Sequence, residues 1–291
     1  MCNLKIGDIV ARKSYGSDIL FKISDIIKND DTTTYVLKGI AYRIEADAPE
    51  SDLVLQSDIS ISDHNLGQRR VAERKCWEIE TFNSMRGLKK FVFRGTPNED
   101  PKTFSRPGKV LHIDGDNEYL DNCLSHYDKL GIDAVGKYIP ESEQPSSVYK
   151  LLQEYTPDIL VLTGHDGYTR GENSYRNIEN YRTSKYFVKS VKEARKYEPD
   201  LDNLAIFAGA CQSMYSDILK AGANYASSPR RVLIHALDPV FVCQKIAFTS
   251  IDKIVSPVEV IGSTITGADG IGGLQTRGKY RNGYPLEPYG K

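Results

Sequence analysis

A histidine and a cysteine stand at matching places in this chain, each just after an apolar run and each close to glycine. DILVLT leads into Gly164-His165-Asp166-Gly167, and NLAIFA leads into Gly209-Ala210-Cys211-Gln212-Ser213. A thiol attacks a carbonyl as the thiolate, and a neighbouring imidazole lowers its pKa and carries its proton. A helix starting at the cysteine adds to that effect, and QSMYSDILKAG is expected to begin directly after Cys211. The glycines suit tight turns with close substrate approach. Backbone N–H groups of Asp166, Gly167 and Cys211 are the expected oxyanion hole. Taken singly, Cys211 reads as a buried thiol and His165 as a loop residue. Their matched placement argues for a catalytic pair.

Carboxylates gather at the same ends of the apolar runs: Asp114 and Asp116 after KVLHI, Asp166 after the histidine, and Asp238 after RVLIHAL. Beside a nucleophile, Asp114, Asp116 or Asp238 can hold a cationic substrate side chain, with arginine favoured for two-pronged pairing. Each also has a plainer use, as a helix cap before NEYLDNCL or in the Asp238-Pro239 turn. A different chemistry, Mg²⁺ held by Asp114 and Asp116 for phosphoryl transfer, finds no supporting motif beyond DGDNE. The remaining cysteines (Cys2, Cys76, Cys123, Cys243) and histidines (His64, His112, His126, His235) are scattered without metal-ligand spacing, so no metal or other cofactor is expected. His112 and His235 fall inside apolar runs and read as core residues.

The elements that must carry these groups read as follows. From Lys109 onward, apolar runs (KVLHIDG, DAVGKYI, DILVLTG, NLAIFAGA, RVLIHAL) alternate with amphipathic stretches (NEYLDNCLSHYDKLG, SSVYKLLQEY, TSKYFVKSVKEARKY, QSMYSDILKAG). That alternation predicts a parallel sheet wrapped by helices, with chemistry beyond the carboxyl ends of the strands. Residues 1–58 hold short β runs (DIVARKSY, ILFKISDII, TTTYVLKGI, YRIEAD, DLVLQ) and predict a small SH3-like β module. Residues 59–107 are polar and basic and predict a partly helical connector, and 108–291 form the α/β catalytic unit.

The chain has 291 residues, a formal net charge of -1 and 26% charged residues, an ordinary globular composition that points to neither a nucleic-acid nor a membrane partner. The N-terminal MCNLKIGDIV has no apolar stretch of signal-peptide length, so a cytoplasmic protein is expected. Its five cysteines are odd in number and lack any CxxC pair, which excludes a disulfide framework and leaves room for a reactive thiol.

The order of apolar strand, histidine and, 46 residues further on, Ala-Cys resembles the caspase and haemoglobinase group of cysteine peptidases. In that group glycine follows the histidine directly, whereas Asp166 intervenes here. A longer resemblance is carried by KIGDIVARKSYGSDILFKI, PGKVLHIDGD, PDILVLTGHDGY, LAIFAGACQS, AGANYASSPRRVLIHALDPV and GGLQTRG, which together look like the YabG sporulation proteases of spore-forming bacteria. This resemblance implies a caspase-like sheet domain and a mother-cell protease. Its implied substrates are proteins of the spore coat and cortex, cut after arginine, and the chain itself. It carries the catalytic roles to His165 and Cys211. Self-cleavage is expected in the connector, at Arg70, Arg74, Arg86, Arg94 or Arg106. The competing reading is a non-enzymatic spore-coat scaffold.

Overall fold

The computed structural model describes residues 4–29, 32–85, 104–169 and 175–284. Strands β1 (Ile9–Arg12), β2 (Leu20–Lys28), β3 (Thr33–Gly39), β4 (Glu45–Pro49) and β5 (Leu53–Leu55) form one antiparallel sheet in the order β4-β3-β2-β1-β5. Alternation along β3 buries Tyr35, Leu37 and Gly39 and turns the residues between them outward. The pairings give an antiparallel meander of β1 to β4, with β5 returning beside β1. The run YRIEAD divides: Glu45 onward joins β4, whereas Tyr42 and Arg43 leave the sheet and pair elsewhere.

Helix α1 (Asp58–Met85) follows, with Ala72, Cys76 and Ile79 packed into the core at helical spacing. The α/β unit then runs β6 (Phe104–Arg106), β7 (Val110–Asp114), α2 (Asn117–Lys129), β8 (Ala134–Tyr138), α3 (Gln144–Tyr155), β9 (Ile159–Thr163), α4 (Ser184–Tyr197), β10 (Ala205–Ala208), α5 (Tyr215–Lys220), β11 (Tyr225–Ser227), α6 (Asp238–Ala247), β12 (Ile254–Val255), α7 (Pro257–Ser263), β13 (Ile271–Gly273), β14 (Thr276–Arg277) and β15 (Arg281–Gly283). The main sheet has the order β13-β11-β10-β9-β7-β8, parallel except for β13; β12 pairs with β14, and β6 with β15.

Strand alternation decides what meets what. On β7 and β9, Leu111, Ile113, Leu160 and Leu162 face α3 and α4 in one core cluster. Val110, Ile159 and Val161 belong to the other cluster, with Cys123 and Tyr127 of α2 and Val240, Phe241, Cys243 and Ile246 of α6. Asp114 and Thr163 sit on that second face at paired positions, at the carboxyl ends of adjacent strands. The chain leaves β7 for β8 on one side and returns to β9 on the other, so these two ends border the crevice where strand order reverses.

Two expected elements differ. RVLIHAL is not a strand of the sheet; the fifth parallel position belongs to Tyr225–Ser227, and of residues 231–237 only His235 makes a β-bridge, to Tyr42. The apolar character of the run is explained by burial of Ile234, Ala236 and Leu237, not by sheet membership. The helix after Cys211 begins at Tyr215 and spans six residues, so no helix N-terminus lies at the thiol. Ser213 and Ser184 take up the amides of Ala210 and Met214, and this hydrogen-bonded turn replaces the expected first helical turn.

Candidate active site

His165 and Cys211 lie just beyond the ends of β9 and β10, adjacent parallel strands. Each turn is built by specific contacts. Gly209 has φ 113° and Gln212 φ 57°, so the cysteine sits in a sharp turn between two left-handed positions. Its hydrogen bonds hold the turn rigid: the Gln212 amide donates to Ser228 Oγ at 3.0 Å and the Ala210 amide to Ser213 Oγ at 2.9 Å. On the other strand, the His165 amide donates to Glu141 Oε1 at 2.7 Å, and Thr183 Oγ1 donates to the His165 carbonyl.

Asp166 ties the two turns together. Its carboxylate accepts from the Gly167 amide at 2.8 Å, the Thr183 amide at 3.0 Å, Ser213 Oγ at 2.9 Å and Ser184 Oγ. Burial raises its pKa, and these four donors work in the opposite direction, so the charge is matched inside the protein. Gly167 is needed for close approach: a Cβ there would stand 2.6 Å from the carbonyl oxygen of Glu45 on the passing β4 strand.

The three expected oxyanion donors divide. The amides of Cys211 and Asp166 both donate to one oxygen, the carbonyl of Arg43, at 3.1 and 3.5 Å. The Gly167 amide is turned to the Asp166 carboxylate instead. His165 is 1% exposed, and neither ring nitrogen has a hydrogen-bond partner. The Asp116 Oδ2 approaches its Nε2 at 3.6 Å, and the Tyr119 ring packs against it with centroids 5.2 Å apart. Burial and nearby Lys38 push the imidazole down to about 3, so it is neutral here. The Cys211 thiol is fully buried, accepts from the Ile234 amide at 3.0 Å, and is pushed well above its usual pKa by burial. The expected activation of the thiol by a helix and the imidazole is therefore absent in this arrangement. Dry surroundings and a covered site keep both groups neutral.

The carboxylates take three separate places. Asp114 is completely buried and forms a 2.7 Å ion pair with Nη1 of Arg43, equally buried. Its other partners are Thr163 Oγ1 at 2.9 Å and the Asp116 amide at 3.0 Å, with His112 Nε2 at 3.3 Å. Burial alone would raise the Asp114 pKa, but the guanidinium outweighs it and holds the carboxyl well below the usual range. Asp116 caps α2 by accepting from the Tyr119 amide at 3.0 Å and turns its second oxygen toward His165. Asp238, at the start of α6, holds the loop of Ile265 and Thr266, and burial pushes it up to about 6. Asp114 is thus the carboxylate that meets an arginine, while Asp116 and Asp238 serve the imidazole and a loop.

Among the described residues, no group of three or more histidine, cysteine, aspartate or glutamate side chains has the geometry to hold a metal ion. No helix among them is long and apolar enough to cross a membrane.

Residues 5–285 match the family model described as YabG peptidase U57. The sporulation-specific protease YabG of Bacillus subtilis (strain 168) is 41% identical over 285 residues, covering 97% of this chain and 98% of that protein. The chain belongs to the YabG peptidase family. It is a peptidase, and the matched span includes both the N-terminal sheet and the α/β unit.

Four residues of this YabG peptidase's site went unseen in the sequence: Arg43, Tyr119, Cys123 and Glu141. Arg43 Nη2 donates to the Ala236 carbonyl at 3.0 Å and contacts Cys123 Sγ at 3.5 Å, while its guanidinium lies 5.0 Å from the Tyr119 ring centre. Burial pushes the Cys123 thiol up to about 12, so it meets the cation as a neutral wall. The only available signal was the spacing of Tyr119 and Cys123 on the inner face of α2, which marks lining without saying of what.

The buried thiol predicts a simple reactivity. Iodoacetamide should label Cys211 of the folded protein at least about tenfold more slowly than a free thiol at pH 7.5, and the rate should still climb above pH 9. Peptide mapping by mass spectrometry reads it. A rate that levels off below pH 7 would mean a preformed thiolate and contradict the arrangement described.

Proposed function

We propose that this YabG peptidase is a sporulation-associated cysteine endopeptidase that cuts after arginine. Its expected substrates are proteins of the spore coat and cortex in the mother cell. The observation that carries the chemistry is the convergence of the Cys211 and Asp166 amides on a single carbonyl oxygen, with the thiol on one of these residues and His165 beside the other. Two N–H donors aimed at one oxygen are what a tetrahedral oxyanion requires. The arginine preference is supported by the Asp114 pocket, which holds a guanidinium by an ion pair, a carbonyl and an aromatic face.

In this mechanism the Cys211 sulfur attacks the carbonyl carbon after arginine, and His165 moves the thiol proton to the departing amine. Asp116 faces the imidazolium that forms and stabilises it. Water then releases the acyl group. The same reading takes the α/β unit as caspase-like and the N-terminal sheet as an SH3-like module. A scaffold has no use for an unpartnered buried imidazole next to paired amide donors.

The test is cleavage of three fluorogenic peptides that differ only in arginine, lysine or leucine before the cut bond, with and without EDTA. Arginine should exceed leucine by at least about a hundredfold in kcat/KM, with no effect of EDTA. Equal cleavage of the leucine peptide would remove the arginine assignment, and loss of all activity in EDTA would remove the thiol mechanism.

A further inference from the structure

We propose that the Arg43–Ile44 peptide bond is a self-processing site, held by the fold in the cleavage position with Arg43 as the intramolecular occupant of the arginine subsite. This rests on Cys211 and His165 being the catalytic pair.

Three features of the same short segment coincide. Its main chain passes through the site between two walls and turns at Arg43, where the Ile44 amide donates to Tyr42 O at 2.8 Å. On one side the Arg43 amide donates to Ile234 O at 3.1 Å and the Ala236 amide to Ala41 O at 2.9 Å, with an antiparallel bridge between Tyr42 and His235. On the other, Ile44 bridges Asp166 in parallel, and the Glu45 amide donates to Asp166 O at 3.3 Å. Strand addition of this kind is a general way to hold a peptide for recognition. The carbonyl of Arg43 is the oxygen that both oxyanion amides reach. The side chain of the same residue fills the Asp114 pocket.

Beyond the bond, the leaving side is also gripped: Arg182 pairs with Glu45 at 3.1 Å and with Asp47. A purely structural buried arginine needs only the ion pair, and that requirement leaves the placement of its carbonyl between the Cys211 and Asp166 amides unaccounted for. By contrast, Arg70 and Arg74 stand exposed on α1, whose backbone groups are taken up within the helix and cannot bridge two walls, and Arg106 is paired within β6. Arg86 and Arg94 lie outside the described residues.

The step balances as follows. Cys211 Sγ bonds to the Arg43 carbonyl carbon, the bond from that carbon to the Ile44 nitrogen breaks, and the thiol proton passes through His165 to that nitrogen. Water then adds to the thioester, restoring the thiol and leaving Arg43 with a free carboxylate. The cut severs the loop between β3 and β4, so Arg43 can withdraw and open the pocket to an arginine of another chain.

The experiment follows the purified full chain by intact mass and N-terminal sequencing, comparing wild type with Cys211→Ala, Arg43→Lys and Arg43→Gln. Wild type should yield a fragment beginning at Ile44, at a fractional rate independent of protein concentration. Cys211→Ala should stay whole, Arg43→Lys should be cut at least about tenfold more slowly, and Arg43→Gln not at that bond. Freed of its internal competitor, Arg43→Gln should also show a KM for arginine peptides about tenfold below that of uncut wild type. Wild type that cleaves added arginine peptides while its Arg43–Ile44 bond survives would overturn this proposal and leave the endopeptidase reading standing. Wild type and Arg43→Gln both inert toward added peptide would overturn both. The wild-type fragment map does not depend on how either Arg43 variant folds.

Discussion

Cys211→Ala is expected to lower kcat/KM on arginine peptides by at least about a thousandfold while leaving the fold in place. The substitution removes one sulfur from a fully buried position and keeps the backbone amide that, with Asp166, reaches the carbonyl oxygen. What disappears is the nucleophile itself, and with it the acyl-enzyme route. The structural cost is small: the Ile234 amide loses its sulfur acceptor, worth about 1 kcal/mol. His165→Ala should bring a loss of similar size, because the departing amine then leaves unprotonated, and the two substitutions together should cost little more than either alone. Steady-state kinetics on both single variants and the double variant, with urea unfolding as the control for folding, measures this. Retention of more than about a tenth of wild-type activity by a folded Cys211→Ala protein would refute the assignment.

The position of that pair was legible because strand periodicity and glycine punctuation are local signals. DILVLT and NLAIFA read as parallel-sheet strands since both faces are covered, and they appear as β9 and β10. The residues that follow such strands fall at the sheet's carboxyl edge whatever the rest of the chain does. RVLIHAL misled for the same reason: apolar content reports burial, and a buried irregular wall satisfies it as well as a strand. The true neighbour, Tyr225–Ser227, spans three residues with little branched apolar character to announce it. The turn after Cys211 was read as helical because its side chains are helix-compatible, whereas serine hydroxyls bonded to backbone amides decide otherwise. Arg43 could not be found this way. It belongs by sequence to the N-terminal sheet, 71 residues from the carboxylate it meets, and a lone arginine inside the run YRIEAD carries no local mark of its partner. The sequence offered three acids for an arginine, and telling them apart needed the alternation of β7, which turns Asp114 toward the covered face, while Asp116 lies beyond the strand as the cap of α2.

That choice yields the second large effect. In Asp114→Asn the side chain keeps its shape and loses its charge, leaving the Arg43 guanidinium completely buried with no carboxylate. Removing one partner of a buried pair costs about 3–5 kcal/mol, so the variant should unfold at markedly lower urea. In the double variant Asp114→Asn with Arg43→Gln, most of that loss should return, because no uncompensated charge remains. The pH dependence separates the two proteins further. The Asp114 carboxyl is held below its unfolded value of about 3.9, so its stabilisation is complete above roughly pH 4 and is lost as the pH falls further. Wild type should therefore lose stability below pH 4 more steeply than the double variant. Catalytically, the double variant has an empty pocket without charge, and its kcat/KM for arginine peptides should fall by about a hundredfold or more relative to Arg43→Gln alone, while a glutamine peptide is little affected. An arginine preference that survives the loss of Asp114 would place the subsite elsewhere. Arg43 would then be a structural residue whose carbonyl meets the two amides for reasons of packing.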